Sequence, residues 1–168
     1  MPMTRIVHVA LVALFASLTH FSALFAQTHN EEAATPEDVL PLAGRTLDAI
    51  RHRDVDSLAK LADPEGVFIG VDVPRISATQ FKKELFEKRG SFCVIFDAAC
   101  LPNKGANSKS LREILVQQPI TMSASKIGGL SQECAVVIRK EGGPGETLFT
   151  LIFRKVKGVW RMQQIEYW

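Results

Sequence analysis

Glu166, two residues from the end of the chain, heads a short set of side chains suited to proton chemistry. A carboxyl carried into a packed interior by a strand loses solvent, favours its neutral form and can then exchange a proton near neutral pH. Asp97 and Glu133 are the candidate second acids for such a site. Left at a wet surface, all three are ordinary carboxylates with no catalytic meaning. His52 is the one histidine of interest, yet it stands between Arg51 and Arg53 at a predicted helix end. A cationic partner for the last helical carbonyls explains it as well as a general base does. His29 falls in a polar lead-in, and no cysteine pair has the short ligand spacing of a zinc site, so no metal site is expected. No nucleotide-binding or other cofactor motif occurs either.

The strand that carries Glu166 decides which way it points. Residues 146–168 read ETLFTLIFRKVKGVWRMQQIEYW, two β-rich runs joined by Lys157-Gly158, with glycine where a primed turn needs positive φ. Strand alternation puts Trp160, Met162, Gln164, Glu166 and Trp168 on one face, and Arg161, Gln163, Ile165 and Tyr167 on the other. If Trp160 and Met162 face packing helices, Gln164 and Glu166 follow them inward. A β-bulge near Gln163 would turn Ile165 and Tyr167 inward instead. Both arrangements remain open at this level.

The rest of the chain supplies the elements that must cover one face of that hairpin. Thr35-Pro36-Glu37-Asp38 starts a helix, and Val39, Ala43, Leu47 and Ile50 recur at helical spacing, with Pro41 marking a kink or the true start. Asp54 and Ser57 open a second helix that Asp63-Pro64 stops. A short strand over residues 67–71 is followed by a helix capped by Ser77 and Gln80, supported by a Glu84–Lys88 pair and ended by Gly90. Residues 92–96 read as a compact apolar strand. A polar connection at 97–109 leads to a Ser110/Glu113 capping box and a helix to about Val116. Alternating residues 120–125, then 134–140, form two further strands before the Gly142-Gly143-Pro144-Gly145 turn. Helices come first and mostly antiparallel strands after them, an α+β layout with helices on one face of a sheet.

The N-terminus predicts export. Arg5, the apolar run at 9–18, the polar patch at Thr19, His20 and Ser22, and small residues ending at Ala26 follow the order of a secretory signal. The predicted divisions are a signal peptide at 1–26, a flexible lead-in at 27–34 and one domain at 35–168. His8 and His20 and the shortness of the apolar core argue against a retained membrane span, so no stable membrane insertion is expected after cleavage. Cleavage after Ala26 removes Arg5 and no acid, leaving 19 basic residues against 18 acidic ones. A surface so nearly neutral, with its basic pairs interspersed by acids, is a poor match for nucleic acid. The localisation expected is secreted or periplasmic, where one disulfide among Cys93, Cys100 and Cys134 is favoured, leaving one thiol over. An extended strand through Asp97 would carry the chain ~13 Å away from Cys93, with only ~10 Å of reach for return, so a Cys93–Cys100 bond requires the strand to bend or end by about Phe96. The pairing is open between these two and either one with Cys134.

Two stretches carry a resemblance to a known family. Residues 48–59, DAIRHRDVDSLA, and residues 157–162, KGVWRM, together with the element order, resemble the nuclear transport factor two-like superfamily over most of residues 36–168. The resemblance implies a strongly curved, mainly antiparallel sheet wrapped around N-terminal helices as a cone. It also implies a pocket at the open end, often apolar, and frequent dimerisation through the outer sheet face. Members include isomerases, dehydratases and polyketide cyclases as well as noncatalytic binding domains. The tyrosine donor of the steroid isomerases has no counterpart here, since Tyr167 is the only tyrosine and lies beside the C-terminus. The leading expectation is therefore a noncatalytic extracytoplasmic domain that binds a small apolar ligand or a protein partner. Trp160, Met162, Gln164, Glu166 and Tyr167 are its expected pocket residues. The alternatives are an isomerase, dehydratase or cyclase using Glu166, and a structural homodimer joined through Phe149, Leu151 and Phe153.

Overall fold

Local signals set the helical half of the domain. In the computed structural model, which describes residues 35–102, 108–129, 132–142 and 145–167, Thr35 donates its amide to Asp38 Oδ2 at 3.0 Å and a 3-10 turn runs over Pro36–Val39. It passes directly into helix α1, Leu40–His52, with Pro41 in the first turn, where its missing N–H leaves no bond unmade. Arg53 then adopts a left-handed conformation, φ 56°, and Asp54 caps helix α2, Val55–Leu61, by accepting the Ser57 amide at 2.9 Å. The expected signal peptide and lead-in, part of the 97–109 connection, Gly143-Pro144 and Trp168 lie outside the described residues. All the described residues fall in the one unit Ala34–Trp168.

Strand β1 is only Phe68–Ile69, shorter than the predicted 67–71, because the chain turns at Gly70 and at Asp72, both at positive φ. Helix α3, Ala78–Phe86, is capped by Ser77, whose hydroxyl accepts the Gln80 amide at 3.2 Å. It ends before Gly90, since Lys88 leaves the helix at φ 55°. The expected Glu84–Lys88 pair is replaced by another arrangement. The Glu84 carboxylate accepts from the Ser91 amide at 2.9 Å, the Ser91 hydroxyl at 2.6 Å and the Gln80 side chain at 2.9 Å.

Those bonds explain the largest departure from the sequence reading. Residues 92–96 are not a strand but part of helix α4, Ser91–Phe96, with Gly90 at its N-cap. A run of six mostly apolar residues fits a buried strand and a short helix equally well, and the tertiary cap from Glu84 selects the helix. A helix advances ~1.5 Å per residue, so the chain does not carry Cys93 out of reach. Asp97 and a 3-10 turn at Ala98–Cys100 fold it back, and Cys93 and Cys100 form a disulfide with Cα atoms 5.3 Å apart. Cys134 is the buried free thiol. Helix α5, Leu111–Gln117, carries the predicted capping box, with Ser110 and Glu113 bonded reciprocally at 3.3 and 2.7 Å.

The sheet has the order β1-β5-β4-β3-β2, where β2 is Ile120–Lys126, β3 Glu133–Lys140, β4 Thr147–Val156 and β5 Val159–Glu166. All neighbours are antiparallel except β1, which runs parallel to β5. The fold is thus α+β, with helices against a mainly antiparallel sheet, as the element order requires. The β4–β5 turn has Lys157 at φ 49° and Gly158 at φ 79°, the two left-handed residues of a primed hairpin.

Register shows how the inner face is made. Cys134, Val136 and Ile138 of β3 stand opposite Phe153, Leu151 and Phe149 of β4, and all six are fully buried. Phe149, Leu151 and Phe153 are therefore core residues, not an outer dimer surface. On β5, Phe153 is opposite Met162 but Ile152 is opposite Gln164, so Gln163 is the extra residue of a bulge. Met162 and Ile165, three apart, are both fully buried. Phe81, Phe96, Leu47, Ile50, Leu58 and Leu85 meet this face from the helices. Fully burying a side chain of this size stabilises the fold by about 1.5–3 kcal/mol.

Candidate functional site

Helix α1 presents a polar stripe outward because Arg45, Asp48 and His52 recur at the three- and four-residue spacing that shares one helical face, with Ala49 beneath them. The left-handed Arg53 reverses the chain into α2, which brings Asp54, Ser57, Lys60 and Leu61 to face that stripe. Arg161 of β5 completes the enclosure, donating Nη1 to the Lys60 carbonyl at 2.8 Å. Together these residues line a cleft of about 580 Å³ that opens to solvent.

The charges of this cleft are unequally committed. Asp48 lies 3.5 Å from Nη1 of Arg51, which is outside the lining. Asp54 is held by its cap: the hydrogen bonds of Ser57, with smaller contributions from Lys60 and His52, hold its carboxyl below the usual carboxylate range. Arg45 and Lys60 have no ion pair among the described residues. His52 Nδ1 lies 2.8 Å from the Asp48 carbonyl oxygen. A carbonyl can only accept, so Nδ1 carries the proton, and Nε2 is the acceptor in the neutral ring.

The three candidate acids are not brought together. Asp97 caps the Ala98–Cys100 turn through Oδ1, accepting the Ala99 amide at 3.1 Å, and its Oδ2 lies 3.4 Å from Arg53 Nη2. Glu133 stands opposite Arg154, and Glu166 opposite Thr150. Those two positions are four residues apart along β4, ~13 Å along a strand.

The expected pocket residues are dispersed as well. Met162 is in the core, Trp160 packs on its margin near the hairpin turn, and Tyr167 packs partly buried on it at the other end. Burial pushes the Tyr167 phenol above its ordinary pKa. Gln164 donates to the Gly70 carbonyl at 3.2 Å. The bulge at Gln163 shifts Gln164 and Glu166 out of phase with Met162, which is the second of the two parities the sequence allowed. Among the described residues no group of three His, Cys, Asp or Glu side chains is arranged to hold a metal ion, and no helix is long and apolar enough to cross a membrane.

A second polar cluster follows the C-terminal end of α2. Asp63 is fully buried and accepts from Arg154 Nε at 2.9 Å, while its other oxygen accepts the Glu65 amide at 2.8 Å. Glu65 bridges Arg154 at 2.6 Å and Arg75 at 3.1 Å, and Arg75 stacks over the Phe68 ring at 5.0 Å. Hydrogen bonds from Arg154 and then Arg75 keep the Glu65 carboxyl below its ordinary range. Every charge here has a partner within the chain, so the cluster fastens the α2–β1 connection to β4.

No protein-family model matches the chain, and no curated protein matches it. Solved structures to which it is similar include nuclear transport factor two-like proteins. One from Pseudomonas putida, of unknown function, is 10% identical, with 79% of this chain and 84% of that one covered at a TM-score of 0.41. Another, from Shewanella oneidensis and also of unknown function, is 14% identical over 77% and 95% of the two chains at a TM-score of 0.42. A third, from Cytophaga hutchinsonii, is 14% identical over 79% and 97%, at 0.40.

Proposed function

We propose that this is a noncatalytic binding domain of an extracytoplasmic compartment, and that it binds in the cleft between α1, α2 and Arg161. The observation that carries the reading is the contrast in geometry: one sizeable open cleft with polar groups converging on it, and candidate acids that are scattered. The enzyme alternative has Glu166 acting with Asp97 or Glu133 on one reacting centre, and the separate placements of these three acids do not favour it. Concave sites with a few directed polar groups are what small ligands and chain segments occupy. Seven of the cleft's nine lining residues are charged, histidine or hydroxyl-bearing, so the expected apolar ligand becomes one that carries polar groups alongside its apolar surface. Extracytoplasmic residence is supported by the signal-like N-terminal sequence and by the Cys93–Cys100 disulfide, a bond that persists in oxidising compartments.

The test is a fragment screen on the purified protein, read by amide chemical shifts. Hits that perturb residues 45–61 and Arg161 support the reading; hits confined to other surfaces, or none, remove it.

A further inference from the structure

We infer that the cleft selects an anionic small molecule, one bearing carboxylate or phosphate groups, through Arg45, Lys60 and Arg161. The inference rests on the binding reading above and adds the chemical class of the ligand. Counting lining residues alone understates the cleft's character, because three bases face two acids and the formal excess is a single positive charge. What matters is which charges are still available. Asp48 has Arg51 beside it, and Asp54 accepts its cap from Ser57. Asp48 thus has a cationic neighbour outside the lining, and Asp54 is oriented by its cap, although its charge also feels Lys60 and His52. Arg45 and Lys60 have no ionic partner among the described residues, and Arg161 is fixed by one bond from Nη1 to a neutral carbonyl.

That single bond has a second effect. It holds the Arg161 guanidinium at the cleft wall while leaving its charge without an acid, so less side-chain freedom is lost when an anion arrives. A guanidinium presents a planar fork suited to two oxygens of a carboxylate or phosphate, whereas an ammonium acts as a point charge. Two forks and one point charge around a space of about 580 Å³ fit a compact polyanion better than a long chain. His52 sits in the same wall with Nδ1 tied to the Asp48 carbonyl, so its other nitrogen can meet a ligand hydroxyl or a protonated acid group.

The other polar cluster provides an internal contrast. Arg154 and Arg75 are cations of the same kind, but Asp63 and Glu65 occupy them. Their partners raise the Arg154 pKa, and no charge is left over for a ligand.

The experiment titrates the purified protein at low ionic strength with citrate, inorganic phosphate and, as a neutral polar control, glucose, each followed by amide shifts. Citrate or phosphate should move the amides of α1, α2 and β5 in a saturable way, and the preferred one of the two separates carboxylate from phosphate chemistry. Arg45→Gln and Lys60→Gln should each weaken that binding by roughly tenfold or more if both charges meet the ligand. Arg161→Lys keeps the charge and loses the fork, and should weaken it by a smaller factor. Shifts spread over all basic surfaces, or affinities unchanged in Arg45→Gln and Lys60→Gln, overturn the inference. Glucose or a neutral fragment binding in the cleft while neither anion does also overturns it, but leaves the binding reading standing. No cleft response to any probe removes both.

Discussion

The two arginine-bearing polar regions of this domain, one around Asp63 and one around the α1–α2 cleft, are built from the same residue types to opposite ends. Around Asp63 the acid is fully buried and both cations are bonded to carboxylates, so removing a partner strands a charge in a place water does not reach. Around the cleft Arg45 and Lys60 are exposed and Arg161 is half-buried, none in an ion pair among the described residues, while Asp48 and Asp54 take a neighbour and a cap from their own helices. The difference teaches that a cluster's role is read from how completely its members are paired, not from their composition. A closed set of partners holds a fold together; an open set is available to something else.

Four variants press on this contrast, in falling order of expected effect. Arg154→Met leaves buried Asp63 without its cation and should destabilise the domain by roughly 3–5 kcal/mol in denaturant unfolding. A loss under about 1 kcal/mol would place the Asp63 cluster with ordinary surface pairs. Gly66→Ala comes next. Gly66 has φ 116°, and a Cβ there would overlap the Ile76 carbonyl oxygen in the Val67–Ile76 bridge, so a loss of about 3 kcal/mol is expected from calorimetry or chemical melts. Glu84→Gln tests the pH dependence of the α4 cap. Burial raises the Glu84 pKa, but bonds from Ser91 and Gln80 outweigh it and leave the carboxyl below its ordinary value. A depressed folded pKa means the stabilisation is complete above the unfolded value and lost as pH falls through the folded one. The variant should therefore show a flatter decline of stability below the ordinary glutamate pKa, and an unchanged acid limb would show that Ser91 does not hold the ionised form. Arg45→Gln with Lys60→Gln should alter stability by no more than about 0.5 kcal/mol, since both are exposed and neither is in an ion pair among the described residues. A large loss there would erase the distinction between the two regions.

How much of this was readable in the sequence follows from how local each signal is. The caps at Asp54, Ser77 and Ser110 lie three residues or fewer from what they bind, and each was legible as written. The hairpin at Lys157-Gly158 was legible for the same reason. Helix α4 was not, because its cap comes from Glu84, seven residues upstream of Ser91 and across a turn. The Cys93–Cys100 pairing is open in the sequence because an extended 92–96 would carry the two cysteines apart, as the helix does not. Half of the cleft carries a local signal, since Arg45, Asp48 and His52 share a helical face. The other half depends on Arg161, whose bond to Lys60 spans 101 positions, and no local pattern reports a contact of that range.

The extra residue at Gln163 has a consequence for the last strand as a whole. It acts as a dislocation does in a crystal row: the two halves of β5 are each regular, yet they are offset by half a period. Before it, even-numbered positions such as Met162 are interior, and after it odd-numbered ones such as Ile165 are. The strand thus places two polar side chains in succession, Gln163 and Gln164, between two buried ones without interrupting the sheet. Deleting Gln163 would heal the offset and leave Met162, Gln164, Ile165 and Glu166 in plain alternation, with Ile165 still opposite Leu151. Pairing all of these residues without the bulge would instead exchange the environments of Ile165 and Glu166, so with Gln163 in the strand the bulge is what keeps its C-terminal apolar side turned toward the helices.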